Sequence, residues 1–169
     1  MKIAFLDRDG TINKDYPDKD WKDRTVPEIL EGSIEGLLLL RELGYEIIIV
    51  TNQYIINEGI ITITQYHDFQ HNLLKLLKSN NIEILDTFYC PHTDADRCNC
   101  KKPKTGLIDI ALKKYPNIDL SSSVYIGDSI CDQELAFQFE LKFFEINGHH
   151  FNTYYHSINE VVLTNREFL

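Results

Sequence analysis

A chain of 169 residues, with 43% apolar and 25% charged side chains, is long enough for one domain with a full core. Its formal charge of -9 speaks against nonspecific nucleic-acid binding and against docking on an acidic membrane. An anionic ligand would need a local positive patch, and Arg97, Lys101, Lys102 and Lys104 form the one dense basic cluster.

Lys2 to Leu6 is a short apolar strand candidate, and it opens directly onto Asp7-Arg8-Asp9-Gly10-Thr11. Asn13 to Arg24 is polar and carries Pro17, so a surface loop is expected. Ser33 to Leu43 has helical spacing with Gly44 as a stop. Glu46 to Val50 is a β-branched run suited to a strand buried on both faces. Thr64 to Ser79 reads as a helix with Phe69, Leu73, Leu76 and Leu77 on one side. Ile84 to Tyr89 reads as a strand, Leu107 to Tyr115 as a helix, and Val124 to Gly127 as a strand. Asp132 to Phe139 follows as a helix and Leu141 to Ile146 as a strand. Ser157 with Glu160 reads as a capping box opening a last short helix.

Strands alternating with helices predict an α/β fold, a Rossmann-like parallel sheet flanked by helices. Ligands of such sheets sit at the carboxyl ends of the strands. Asp7 and Asp9, Thr51 and Asn52, a cysteine-rich loop, and Asp128 all fall at such ends. No repeat or linker marks a second domain, so residues 1–169 are expected to form one.

Two carboxylates spaced like Asp7 and Asp9 can divide labour. One can attack phosphorus to form an aspartyl-phosphate, and the other can protonate the leaving oxygen and later deprotonate water. The same run also reads as an Asp-Gly turn, and alone the two readings stand level. Asp128 could add an oxygen to a Mg²⁺ shell, with Asp132 supporting it from a first helical turn, where the helix dipole alone would also favour an acid. Thr51 and Asn52 could bond phosphoryl oxygens or merely end a strand. Lys101 and Lys102 could offset phosphoryl charge.

Cys90, His92, Cys98 and Cys100 cluster tightly enough to hold a tetrahedral, structural Zn²⁺ with no open position. Met1-Lys2 leads straight into a strand with no signal-peptide pattern, so a cytoplasmic location with reduced thiols is expected. His67 and His71, four apart, read as a helix surface, and His149-His150 as a loop. Cys131 reads as a small core residue at a helix start. Tyr16 and Trp21 could contact substrate or seal their loop.

In order along the chain, Asp7-x-Asp9-Gly10-Thr11, Thr51-Asn52-Gln53, Lys102-Pro103 and Gly127-Asp128-x-x-x-Asp132 resemble the haloacid dehalogenase superfamily of phosphotransferases. The resemblance runs from Lys2 to about Asn147. The C-x-H…C-x-C loop beside a basic-Lys-Pro run is similar to one subgroup, the D,D-heptose bisphosphate and histidinol-phosphate phosphatases. The resemblance implies Asp7 as nucleophile and Mg²⁺ ligand. Asp9 would be the acid/base and lend its carbonyl to Mg²⁺, and Asp128 would complete the protein's Mg²⁺ ligands. Thr51 and Lys102 would steady the phosphoryl group, with Asn52 nearby, and Lys101 would recognise substrate. Cys90, His92, Cys98 and Cys100 would hold zinc. The gaps between these motifs leave no room for a large cap domain, so the loops must choose the substrate.

The implied activity is a Mg²⁺-dependent phosphomonoesterase acting on a small phosphorylated metabolite. A heptose bisphosphate is preferred and histidinol phosphate is the alternative. No nucleic-acid or membrane partner is expected, and a monomer is. The rival of another class is a non-catalytic, zinc-stabilised interaction module. The subgroup departs from this chain at Tyr54-Ile55-Ile56-Asn57-Glu58-Gly59, where the heptose enzymes run Ser-Gly-Ile-Ala-Arg-Gly. It departs again at Lys101, where they usually carry Arg.

Overall fold

The structure, a computed structural model, describes residues 1–147 and 153–169. The His149-His150 pair lies outside the described residues. Five strands are formed: β1 Ile3–Leu6, β2 Glu46–Asn52, β3 Asp86–Cys90, β4 Val124–Gly127 and β5 Lys142–Glu145. The helices between and after them are α1 Ser33–Glu42, α2 Ile63–Ser79, α3 Gly106–Lys114, α4 Ile130–Gln138 and α5 Ile158–Thr164. All strand pairs are parallel, in the order β3-β2-β1-β4-β5.

β1 therefore lies at the centre, and the chain winds outward from it first one way and then the other. The switch falls between β1 and β4, where a parallel sheet opens a crevice at its carboxyl edge. Alternate residues of each strand face opposite layers. Ala4, Leu6, Ile47 and Ile49 pack with Leu37, Leu40, Leu73, Leu77 and Val161 from α1, α2 and α5. Ile3, Phe5, Ile48 and Val50 pack with Leu107, Ile108, Ala111 and Leu135 from α3 and α4. Both faces are covered, which is why Ile47, Ile48, Ile49 and Val50 form an unbroken apolar run rather than an alternating one.

Some expectations shift. β3 starts at Asp86 rather than Ile84, because Ile84 packs against the α1/α2 core from the approach to the strand. Asn13 to Arg24 is not simply a surface loop. It contains a 3-10 turn at Asp18–Asp23 and buries Tyr16 and Trp21 in a third cluster with Ile55, Ile61, Tyr66 and Phe69. Two aromatic rings in a charged segment outweigh its polarity once α2 offers them an apolar face. Trp21 Nε1 donates to the Tyr16 carbonyl at 3.0 Å, which satisfies the buried indole. Ser157 caps α5 by accepting from the Glu160 N–H, but the Glu160 carboxylate turns to the His156 N–H, so the reciprocal half of the box is missing. His67 and His71 are exposed on α2, as expected for a helix surface.

Candidate active site and metal centres

A cleft of about 220 Å³ lies at the carboxyl edge of the sheet. Its walls carry Asp7, Asp9, Thr51, Asn52, Gln53, Lys102, Asp128 and Cys131, with Asp15, Asp18, Trp21 and Tyr54 among the other lining residues. Asp7 follows β1 directly, and its N–H donates to the Ile126 carbonyl of β4 at 3.0 Å, so the switch point itself fixes it.

Gly10 makes the next approach feasible. Its φ is +86°, and a Cβ there would lie 2.1 Å from Asp128 Oδ2. Only glycine lets the Asp-Gly-Thr turn come this close to Asp128. Gly127 does the same on the other strand, since a Cβ would meet Asp132 Cγ at 2.6 Å.

Lys102 is almost fully buried, and its three ammonium donors are all engaged. They reach Asp7 Oδ1 at 2.6 Å, Asp132 Oδ1 at 2.7 Å and the Val50 carbonyl at 2.9 Å. Burial alone would lower the Lys102 pKa, but Asp132 and Asp7 outweigh it and raise it well above the usual value. Burial likewise raises the Asp7 carboxyl well above its usual range. Lys102 opposes that rise, while Asp132, Asp128 and Asp9 add to it. Asp128 is pushed up to about 7, first by burial and then by Asp132, with Lys102 opposing.

Carboxylate oxygens of Asp7, Asp128 and Asp132 lie within 4.8 Å of one another. One ammonium faces several acids, so the cluster has excess negative charge with hard oxygen donors. That donor set fits a divalent cation such as Mg²⁺. Asp132 is fully buried and takes bonds from Lys102, Tyr125 and the Ser129 N–H and hydroxyl. Its place is behind the site, closing a capping box with Ser129 at the start of α4. Cys131 lines the cleft beside it, rather than belonging to the core.

Thr51 and Asn52 sit on the last residues of β2, not beyond it. Thr51 Oγ1 accepts from Gln53 Nε2 at 2.9 Å, which leaves its O–H to donate. Asn52 differs from expectation. Its amide oxygen takes the Lys102 N–H at 2.9 Å and its amide nitrogen donates to the Lys102 carbonyl at 3.2 Å. It clamps the lysine's backbone instead of offering both groups to a ligand. Lys101 is drawn off the cleft wall. It bonds Asp94 at 2.8 Å and lies 5.0 Å from the centre of the Tyr54 ring, whose hydroxyl donates to Asp18 at 3.0 Å.

Asp9 accepts four N–H donors: Arg8 Nε at 2.9 Å, Arg8 Nη2 at 2.8 Å, Asn13 Nδ2 at 2.9 Å and Gln53 Nε2 at 2.7 Å. Arg8, Asn13 and Gln53 were not foreseen from sequence. The available signal was parity. If Asp7 and Asp9 face the cleft, an arginine between them points into the opposite, apolar layer and must be paired there.

The cysteine loop assembles as expected. Cys90 ends β3, and the Sγ and Nδ1 atoms of Cys90, His92, Cys98 and Cys100 approach at 3.1 to 3.6 Å. A zinc tetrahedron with Zn–S near 2.3 Å has edges of about 3.8 Å, so three sulfurs and one imidazole at this spacing fit the ion. Burial pushes the Cys90 thiol up, whereas at Cys98 the N–H groups of Lys101 and Cys100 outweigh burial and bring it down to about 7.

A buried ammonium on a strand-end aspartate, beside further acids at the switch point of a parallel sheet, is the arrangement that the resemblance to the haloacid dehalogenase phosphatases implies. The family model described as polynucleotide kinase 3 phosphatase matches residues 2–153, and the chain belongs to this family. It is 40% identical over 144 residues to a probable D-glycero-D-manno-heptose-1,7-bisphosphate 7-phosphatase of Thermoplasma volcanium, covering 85% of this chain and 97% of that protein. It is 34% identical over 152 residues to the histidine biosynthesis bifunctional protein HisB of Blochmanniella floridana, covering 89% of this chain but 42% of that protein. In fold it matches the crystal structure of D,D-heptose 1,7-bisphosphate phosphatase from B. bronchiseptica complexed with magnesium and phosphate. The TM-score is 0.84 with 22% identity, and each chain is covered fully. Among the described residues, no helix is long and apolar enough to cross a membrane.

Proposed function

We propose that this phosphatase hydrolyses a small sugar phosphate through an aspartyl-phosphate on Asp7. The observation that carries the reading is the Lys102 ammonium, 2.6 Å from Asp7 Oδ1 in the acidic cleft. Lys102 opposes the rise that burial imposes on the nucleophile's carboxyl and offsets charge on the transferring phosphoryl group. Asp7 attacks phosphorus, and the ester P–O bond breaks. Asp9 gives a proton to the departing oxygen and then takes one from the water that hydrolyses the intermediate. Thr51 donates its hydroxyl to a phosphoryl oxygen, and Asn52 holds the Lys102 backbone in register. Asp7, Asp128 and the Asp9 carbonyl would hold Mg²⁺, with Asp132 supporting Asp128. When bound, that ion supplies charge neutralisation between carboxylate and phosphate. Cys90, His92, Cys98 and Cys100 would hold zinc and pin the loop that presents Lys101 and Lys102.

The preferred substrate is a D-glycero-D-manno-heptose 1,7-bisphosphate. The name and near-full coverage of the Thermoplasma relative support it. Histidinol phosphate is the second reading, favoured by Asp15 and Asp18 on the cleft wall, which suit a leaving group carrying cationic nitrogen. The family description includes a polynucleotide 3 phosphatase, but a formal charge of -9 opposes a nucleic-acid substrate. We take residues 1–169 as one phosphatase domain acting as a monomer in the cytoplasm, where the thiols stay reduced. The test is a turnover screen of phosphorylated metabolites with Mg²⁺. Heptose bisphosphate should lead, and comparable slow rates on every ester would refute the substrate preference.

A further inference from the structure

Arg8 is 1% exposed, although it sits between two acids at the rim of a cleft. Its guanidinium carbon lies 5.0 Å from the ring centre of Phe69, 5.4 Å from that of Tyr66 and 5.7 Å from that of Trp21. Nη1 donates to Gln70 Oε1 at 3.1 Å, and Gln70 in turn donates to Thr87 Oγ1 on β3 at 3.1 Å. The cation is thus held by α2, by the 3-10 turn and, through Gln70, by the sheet. From that fixed seat Nε and Nη2 take one oxygen each of Asp9.

A buried ion pair contributes little net stability compared with an apolar replacement of the same shape. An arginine pre-set in a cage does something a hydrocarbon cannot, because its planar fork dictates the orientation of a carboxylate. Gln53 extends the linkage, donating to both Asp9 Oδ2 and Thr51 Oγ1. Asp9, Gln53 and Thr51 line the cleft, and Arg8 joins their chain of contacts from behind it.

We infer that Arg8 is the positioning residue of the acid/base, its caged fork aiming the Asp9 carboxyl at the leaving oxygen. This rests on the reading of Asp9 as acid/base. Arg8 itself touches neither substrate nor the reacting atoms. The cage also ties this aim to the cleft wall, since Trp21 belongs to both.

The test compares first-turnover release of two leaving groups with Mg²⁺ present. p-Nitrophenolate departs with little protonation, whereas an alkoxide needs the acid. In Arg8→Lys, which keeps the charge but loses the fork, release from the best alkyl phosphate should slow about 10- to 100-fold, with KM within about threefold. Release from p-nitrophenyl phosphate should fall by less than about threefold. Gln70→Leu, which releases Nη1 and the Thr87 hydroxyl but leaves the fork on Asp9, should show the same pattern more weakly, and it stands in if the lysine variant does not fold. Equal losses on both esters, or no loss on the alkyl ester in a folded variant, would overturn the inference. Asp9→Asn separates the underlying reading: full alkyl-ester turnover in that variant would sink the acid/base role itself, whatever Arg8 does.

Discussion

Lys102 Nζ lies 2.6 Å from Asp7 Oδ1, although 95 residues separate the two along the chain. The same ammonium holds Asp132 at 2.7 Å, so a single cation ties the end of β1 to the start of α4. Replacing Lys102 with Met would leave buried carboxylates facing one another without their counter-ion. The variant should lose about 3–5 kcal/mol of stability and most of its turnover, read by thermal unfolding and steady-state rates on one preparation. A variant as stable as the parent would show that the acids neutralise themselves by protonation.

Stability of the metal-free protein should depend on pH in a particular direction. Asp128 is pushed up to about 7 by burial and by Asp132, and Asp7 is raised for the same kind of reason. An ordinary carboxyl titrates near 4. Between these values the folded protein holds a proton that the unfolded chain has lost, so stability falls as pH rises through the window. A divalent cation takes the proton's place. Added Mg²⁺ should therefore raise the melting temperature more at about pH 8 than at about pH 5. Equal shifts at both would contradict a cation site on these acids.

The cysteine loop should carry about one zinc per chain by elemental analysis, and Cys98→Ser should lower the melting temperature. The first activity to suffer should be that which depends on Lys102, because the loop runs directly into it. Metal-free protein that melts unchanged would remove the structural role of the cluster.

Tyr54 bridges the segment that carries Asp18 and the loop that carries Lys101. Its hydroxyl bonds Asp18, and Lys101 packs on its ring. Tyr54→Ser should release both neighbours and alter KM for a bisphosphate about tenfold while leaving kcat nearly unchanged. A matching change on a simple monophosphate would mean that Tyr54 supports the fold of the cleft rather than its selectivity.

The strand ends were legible because chemistry and periodicity coincide there. Asp7, Thr51 and Asp128 each follow or end an apolar run, and the sheet order brings them together. The cysteine cluster was legible from spacing alone. What sequence did not reveal were the groups that hold the site from behind. Arg8 depends on Tyr66, Phe69 and Gln70, which reach it only when α2 covers that face of the sheet. Asn52 looked like a ligand group because nothing local predicts that its amide spans 50 residues to the Lys102 backbone. Trp21 was hidden in a charged segment whose burial is decided by Ile55, Ile61 and Phe69.

The central claim is a covalent phosphoryl-enzyme on Asp7. Rapid acid quench of the Mg²⁺-loaded enzyme with radiolabelled substrate, followed by peptide mapping, tests it directly. The account predicts label on the peptide containing Asp7 during turnover, and in Asp7→Asn neither label nor more than about a thousandth of the parent rate. Phosphate release with no labelled peptide at any time, together with an active Asp7→Asn variant, would contradict it.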